Sequence, residues 1–179
     1  MARFQANPGC RDYVKITMDY AVAAARAFRT LASDEQPFDF VYVSGQGSTL
    51  KPGVLTPLFG RIKGETELIL SAMRKENSSF RASTIRPAFI DYAAHDAIKP
   101  YVPPMGAARS ALLGVFGPVV RATAKGSWSP TIPLGRFMTE MAMGKWDAKL
   151  QSEQMEKLGD FPILENGTFR KLAGLDAKS

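Results

Sequence analysis

The apolar positions of the chain follow two spacings, and each spacing predicts a type of element. Apolar side chains recur every three or four residues from Asp12 to Ala32, which predicts an amphipathic helix. The run Phe38–Val43 is aromatic and β-branched, and it predicts a buried strand. After a loop rich in Gly, Ser and Pro, the pattern predicts a second helix from Pro57 to Arg74 and a second strand from Phe80 to Ile85.

This alternation of helices and strands is typical of an α/β fold with parallel strands. Prolines interrupt the chain from the second strand to about residue 133, which predicts irregular structure. The pattern then predicts helices at Leu134–Met143 and Ala148–Leu158, the apolar run Phe161–Leu164 and a short final helix. Only two strands are predicted and residues 1–12 carry none, so the first βαβ units of a doubly wound sheet are missing.

Composition narrows the class of protein. The 179 residues include 23 Lys and Arg against 17 Asp and Glu, a formal net charge of +6. Because the basic residues are scattered, we interpret them as a solvated surface and expect no nucleic-acid partner. The single cysteine, Cys10, excludes a disulfide scaffold, and the single histidine, His95, excludes multi-histidine metal sites, so we expect no metal.

No segment of the sequence predicts a signal peptide or a membrane span. Met1–Pro8 is polar, and the longest apolar run, Ala111–Val120, has ten residues and is interrupted by Gly and Pro. A bilayer span needs about 20 residues. We therefore expect a cytoplasmic protein without membrane contact, in which the glycosylation sequons at Asn77 and Asn166 are chance matches.

The candidate catalytic and binding residues follow the first predicted strand. Ser44 follows that strand directly, at the edge where open α/β sheets bind ligands. Phe59 and Lys63 are four residues apart in the next predicted helix, which places a ring and an ammonium on one face. The structural alternatives are that Ser44 starts a turn, Phe59 belongs to the core, and Lys63 forms a surface pair with Glu67.

Three segments keep a common order and spacing: Tyr42-Val43-Ser44-Gly45-Gln46-Gly47, Phe59-Gly-Arg-Ile-Lys63-Gly-Glu-Thr-Glu67 and Thr84-Ile85-Arg86-Pro87. Together they resemble the short-chain dehydrogenase/reductase superfamily, and most closely its atypical, nucleoside-diphosphate-sugar-epimerase-like NAD(P)-binding members. The resemblance covers the carboxyl-terminal half of that family's Rossmann domain. It implies a partial Rossmann-like, doubly wound parallel sheet over residues 1–90. Residues 91–179 are expected to form an irregular and helical substrate region packed on that sheet as one domain.

The resemblance also implies roles for individual residues. Ser44 matches the serine that hydrogen-bonds the substrate oxygen, and Lys63 matches the lysine that holds the nicotinamide ribose of NAD(P). Pro87 and Ala88 match contacts of the nicotinamide ring. Phe59 stands where the acid/base tyrosine is expected, and a phenyl ring has no proton to donate. The candidate replacement donors are Tyr42, Tyr92 and His95, and the candidate pocket residues for an unidentified small-molecule substrate are Arg109, Arg121 and Trp128.

The phosphate-binding part of a dinucleotide site is missing from the pattern. Gly45-Gln46-Gly47 follows a strand but lacks the third glycine and opens no helix, so it is not a dinucleotide fingerprint. We expect the chain alone to bind NAD(P) weakly. We interpret it as a truncated, catalytically degenerate relative: a slow oxidoreductase, a cofactor-binding pseudoenzyme or a gene fragment without independent function. The alternative is a non-catalytic interaction module whose sheet edge beside Phe38–Val43 is covered by another chain or a second copy.

Overall fold

The structure is a computed structural model that describes residues 8–103, 123–152 and 155–176. The helices in these ranges are α1 (Pro8–Val14), α2 (Tyr20–Phe28), α3 (Leu58–Glu76), α4 (Thr131–Ala142), α5 (Asp147–Leu150) and α6 (Asn166–Leu172). The strands are β1 (Phe38–Val43), β2 (Phe80–Arg86), β3 (Phe89–Asp91), β4 (Trp128–Pro130), β5 (Lys157–Leu158) and β6 (Phe161–Glu165).

The first predicted helix is confirmed, and it changes pitch along its length. A π-helical turn, Lys15–Asp19, joins α1 to α2, and a 3-10 turn at Arg29–Leu31 follows α2. Within the π turn the Tyr20 N–H donates to the carbonyl of Lys15, five residues earlier. The π turn and α2 lie against α3, and α2 with its 3-10 turn leads the chain to β1.

The predicted β-α-β unit is confirmed almost residue for residue. β1 has the predicted bounds, β2 is one residue longer, and α3 lies between them. The two strands are parallel, with Phe38 opposite Phe80 and Val43 opposite Ile85. Their carboxyl ends therefore meet at one edge of the sheet.

The expectation of only two strands is wrong, because the run after Gly159 is a third parallel strand. β6 pairs with β2, with Thr84 opposite Ile163, and the sheet order is β1-β2-β6-β5. Pro162 argues against a central strand in the sequence, but it lies near the start of β6 opposite the two-residue strand β5. This third strand lies within residues 91–179 and belongs to the same sheet as β1 and β2.

The predicted helix Ala148–Leu158 is confirmed only at its start, and the prediction is wrong at its end. α5 ends at Leu150, and Lys157–Leu158 forms the antiparallel partner of β6. Gly159 lies between these two strands with φ +61°, a conformation that glycine adopts without strain. The pairing of β5 with β6 therefore outweighs the helical pattern of the sequence.

Helices cover both faces of the sheet, which confirms the predicted α/β fold, although the sheet is mixed rather than wholly parallel because β5 is antiparallel to β6. One face packs on α2 and α3 through Val22, Ala25, Tyr42, Leu70, Met73, Phe80, Ala82, Phe161 and Ile163. The other face packs on α4, α5 and α6 through Ile85, Leu134, Phe137, Met141, Leu150, Leu164 and Phe169. The predicted helix at Leu134–Met143 corresponds to α4.

The segment predicted to be irregular contains a second, two-stranded parallel ladder. β3 pairs with β4, with Phe89 opposite Trp128, and a 3-10 turn spans Asp96–Tyr101. The run Ala111–Val120 and the candidate pocket residues Arg109 and Arg121 lie outside the described residues. In the part of the chain that is described, no helix has the length and apolarity needed to cross a bilayer.

Candidate functional site

The loops after β1 and β2 are joined at the carboxyl edge of the sheet. The Ser44 N–H donates to the carbonyl of Ile85 at 2.9 Å, and the Gln46 N–H donates to the carbonyl of Pro87 at 2.8 Å. These two bonds extend the pairing of β1 and β2 beyond the strands. Ser44 and Pro87, both predicted site residues, therefore lie at one edge.

The hydroxyl of Ser44 is buried and already has a partner. Ser44 is 3% exposed, and its Oγ lies 2.9 Å from the Oγ of Ser48. Sequence reasoning missed Ser48, although a second serine four residues on, across Gly45 and Gly47, could have indicated a tight hydroxyl pair. Either hydroxyl can be the donor of this bond.

At the same edge lies Lys63 of α3, which with Ser44 forms what we call the serine–lysine site. Its Nζ donates to the carbonyl of Ser44 at 2.6 Å and lies 3.5 Å from the carbonyl of Val43. Burial lowers the pKa of Lys63, and the nearby charge of Glu67 opposes that shift. The structure thus brings Ser44 and Lys63 together, with contact through the serine backbone rather than its hydroxyl.

Phe59 lies in the first turn of α3, one helical turn before Lys63. Its side chain is 41% exposed, and the ring carbon Cζ lies 3.4 Å from the position that a Cβ on Gly47 would take. Gly47 has φ +91°, which favours glycine at this turn. An exposed ring facing a glycine turn differs from the core position that the structural alternative assigned to Phe59.

The amino-terminal half of α3 approaches the loop after β1 very closely. The Thr49 N–H donates to the carbonyl of Gly60 at 3.2 Å. A Cβ on Gly60 would lie 2.6 Å from the carbonyl oxygen of Gly47, and a Cβ on Gly64 would collide with the carbonyl of Thr49. These two glycines let the helix hold Lys63 against Ser44.

A buried ion-pair network lies below Lys63. Arg86 donates to both carboxylate oxygens of Glu67, at 3.0 and 2.5 Å, and to Glu165 at 2.7 Å. Glu67 is fully buried and also accepts from the hydroxyl of Thr84 at 3.2 Å. Burial alone lowers the pKa of Arg86, but the bonds to the two glutamates outweigh it and raise the pKa. The surface pair of Lys63 with Glu67 is therefore wrong, because Glu67 faces Arg86 inside the protein.

A second set of hydrogen bonds ties the end of β2 to the ends of β4 and β6. The Ala88 N–H donates to the Ser129 Oγ at 2.8 Å, and this hydroxyl donates to the Asn166 Oδ1 at 2.7 Å. Asn166 follows β6 directly and donates to the carbonyl of Gly126 at 2.6 Å. The predicted cofactor contact Ala88 thus has its backbone amide engaged within the protein.

The candidate replacement donors lie in other surroundings. The Tyr42 hydroxyl donates to the carbonyl of Thr17 at 3.3 Å, and burial raises the pKa of this phenol. The Nδ1 of His95 lies 3.0 Å from the hydroxyl of Thr131, and the backbone N–H of His95 donates to the carbonyl of Tyr92. Among the described residues no hydrogen bond joins these three side chains to Ser44 or Lys63.

Trp128 is the candidate pocket residue that lies within the described ranges. Trp128 is buried and packs edge-on against Phe89, with ring centroids 4.7 Å apart. Within the described ranges, no group of three or more His, Cys, Asp and Glu side chains is placed to hold a metal ion. The arrangement around Ser44 can bind a polar ligand through an ammonium, a hydroxyl and backbone groups.

Fold and site together define an α/β protein in which a lysine ammonium contacts the backbone of a buried serine at the carboxyl edge of parallel strands. The chain is 42% identical over 157 residues to botcinic acid biosynthesis cluster B protein 16 of Botryotinia fuckeliana (strain B05.10), an alignment that covers 87% of this chain and 99% of that protein. It therefore belongs to the same family as that protein. No protein-family model matches the chain.

A second relative is leucinostatins biosynthesis cluster protein T of Purpureocillium lilacinum. It is 34% identical over 127 residues, and the alignment covers 62% of this chain. The same alignment spans 46% of that relative, so the chain corresponds to less than half of its length.

Proposed function

We propose that the chain is an NAD(P)-binding protein of the short-chain dehydrogenase/reductase type, with Phe59 in place of the acid/base tyrosine. The observation that carries the proposal is the Lys63 Nζ at 2.6 Å from the Ser44 carbonyl, at the carboxyl edge of β1. Open α/β sheets of the Rossmann kind bind their ligands at this edge. Both relatives are named for biosynthesis clusters, which supports a role in a biosynthetic pathway.

The residues present fit one end of the cofactor. An ammonium carries three N–H donors, and Lys63 uses two of them on the carbonyls of Ser44 and Val43, which leaves one for a ribose hydroxyl. Pro87 and Ala88 lie at the same edge, beside Gln46. In the described ranges no glycine-rich turn opens a helix after a strand, so the pyrophosphate end lacks its usual cradle.

When bound, the nicotinamide supplies or accepts a hydride. The residues of this chain bind and orient: Lys63 holds the ribose, and Ser44 presents a hydroxyl once it leaves Ser48. Phe59 supplies apolar surface and no proton, and general acid catalysis is worth about 100- to 10,000-fold. We therefore assign cofactor and ligand binding with turnover that is slow or absent.

Replacing Lys63 with methionine is expected to weaken NADPH binding by about tenfold or more, because a hydrogen bond from a charged donor is worth roughly 1.5–3 kcal/mol. Binding is measured by quenching of the fluorescence of Trp128 and Trp146 during an NADPH titration to about 1 mM. Lys171→Met removes an exposed lysine of α6 and serves as the matched control.

The pH dependence of NADPH binding provides an internal check. Burial lowers the pKa of Lys63 from its ordinary value of 10.5, so the ammonium loses its proton at a lower pH than a free lysine does. The affinity for NADPH should therefore fall as the pH rises towards 10.5. Lys63→Arg keeps its charge and should bind with little change over the same range. Equal quenching in the wild type, Lys63→Met and Lys171→Met would overturn the proposed site.

A second candidate function, an interaction module, is favoured by the position of β1. This strand is the terminal strand of its sheet. The N–H groups of Phe38 and Ser44 point towards β2, so the alternation of the strand directs those of Asp39, Val41 and Val43 outwards. Such an edge can accept a strand from another chain or a second copy.

Association through this edge predicts a specific response to proline. Val43→Pro removes an outward N–H and leaves the bonds to β2 in place, so it should abolish association, whereas Val43→Ala should preserve it. Size-exclusion chromatography with light scattering measures the mass of each protein. A folded, monodisperse wild-type monomer would remove the need for a second copy.

A further inference from the structure

A large groove lies on the helical layer that α1, α2 and α3 form, away from the serine–lysine site. It lies between α1 with its π turn, the amino-terminal half of α3 and the loop at Thr49–Pro52, and its volume is about 930 Å³. Small-molecule sites typically enclose roughly 300–1,000 Å³ and are mostly apolar. The apolar side chains that line this groove are Val14, Met18, Leu50, Leu58, Ile62 and Leu68.

The groove and the serine–lysine site lie on different faces of α3. Leu58, Ile62 and Leu68 face the groove, whereas Lys63 and Glu67 face the sheet and its edge. Leu68 is 41% exposed. A ligand in the groove would therefore contact neither Ser44 nor Lys63.

The charges along the groove are separated by sign. Both α1–α2 and α3 run antiparallel to β1, since one leads into this strand and the other leads back from it to β2. Arg11, Lys15 and Arg61 consequently lie towards the carboxyl edge of the sheet, and Asp19 and Glu65 lie further down. We call the end of the groove at the carboxyl edge of the sheet the upper end and the opposite end the lower end. The cations at the upper end favour an anion, and the carboxylates at the lower end repel one.

The cations at the upper end differ in how they are held. Arg61 donates to the carbonyls of Thr56, at 3.2 Å, and Gly53, so it fixes the loop that closes this end. Arg11 is exposed, and the ammonium of Lys15 lies 5.9 Å from the ring centroid of Tyr20. An exposed cation–π contact is weak, so a carboxylate can draw Lys15 away from it.

We propose that this groove binds an amphipathic carboxylate, an aliphatic chain that ends in a carboxyl group. The chain would lie on the apolar side chains between the helices, and the carboxylate would face Arg11 and Lys15 beside the loop held by Arg61. This inference is independent of NAD(P) binding, because it uses other residues and another face of α3.

The test is displacement of a fluorescent acid, 11-(dansylamino)undecanoic acid, from the full chain by dodecanoic acid or dodecan-1-ol. We expect saturable binding with one site per chain. Arg11→Glu should weaken dodecanoate by about five- to tenfold and leave dodecanol nearly unchanged, since only the carboxylate meets the charge. Leu68→Trp fills the groove and should weaken both ligands by about tenfold or more.

Matched controls lie on the opposite helical layer. Ile132→Trp changes an exposed apolar residue of α4, and Lys171→Glu reverses an exposed charge of α6, so neither should alter binding. Absence of saturable binding below about 1 mM, or equal affinity in the groove and control variants, overturns the proposal. A wild-type dimer that Leu68→Trp converts to a monomer, with no acid bound, also overturns it and makes the groove an interface between copies.

Discussion

Glu67→Ala is expected to lower the free energy of unfolding by about 3–5 kcal/mol, because it leaves the Arg86 guanidinium buried with half of its partners removed. Glu67 is fully buried, Arg86 is 5% exposed, and three hydrogen bonds end on the Glu67 carboxylate. Glu165 keeps its bond to Arg86 but is partly exposed, so it cannot replace the buried partner. Urea unfolding monitored by circular dichroism measures the change.

The matched control is a glutamate of the same helix with a surface partner. Glu76 pairs with Arg29 at 2.7 Å and is 65% exposed, so Glu76→Ala should cost less than about 1 kcal/mol. Glu67→Gln keeps the shape and some hydrogen bonds and should fall between the two. If Glu67→Ala costs no more than Glu76→Ala, the network does not hold α3 to the sheet.

Gly64→Ala is expected to destabilise the protein by about 1–3 kcal/mol or more, although alanine is the better helix former. The added methyl group would meet the backbone carbonyl of Thr49, which a side-chain rotation cannot move aside. Either α3 or the loop after β1 must shift, and that shift separates Lys63 from Ser44. Both the melting temperature and the affinity for NADPH should therefore fall.

Gly135→Ala provides the opposite case in another helix. A methyl group on Gly135 of α4 meets nothing within 4 Å, so this change should raise stability by up to about 1 kcal/mol. Thermal unfolding of both variants tests the comparison. Equal stabilisation by the two alanines would show that the close approach of α3 to the loop does not constrain the fold.

The fold was predictable where elements follow one another along the chain. Aromatic and β-branched residues mark β1, and the helix after it shows a clear apolar period, so the β-α-β unit could be predicted with its bounds. β6 could not, because Pro162 disfavours a strand and the pairing with β2 joins residues about eighty positions apart, such as Thr84 and Ile163. Long-range pairing of this kind leaves no local signal.

The candidate site was predictable only in part. Ser44 and Lys63 follow from a strand end and a helical face, and the Lys63 ammonium lies 2.6 Å from the backbone carbonyl of Ser44. The hydroxyl pair of Ser44 with Ser48 and the ion pair of Glu67 with Arg86 were missed, since Glu67 was interpreted as a surface partner of Lys63 and Arg86 as part of a strand-ending motif. The position of Glu67, four residues after Lys63 and three before Leu70 on α3, is the signal that could have indicated its burial.

The pairing of β3 with β4 has a consequence for the segment between these two strands. Because Phe89 lies opposite Trp128, the polypeptide departs from the sheet and returns beside its own point of departure. The Ala88–Ser129–Asn166 bonds clamp both ends of that excursion to the framework. Both ends of the segment between β3 and β4 are therefore fixed to the same framework that holds the loop after β1, since Pro87 accepts from Gln46 and Ala88 donates to Ser129.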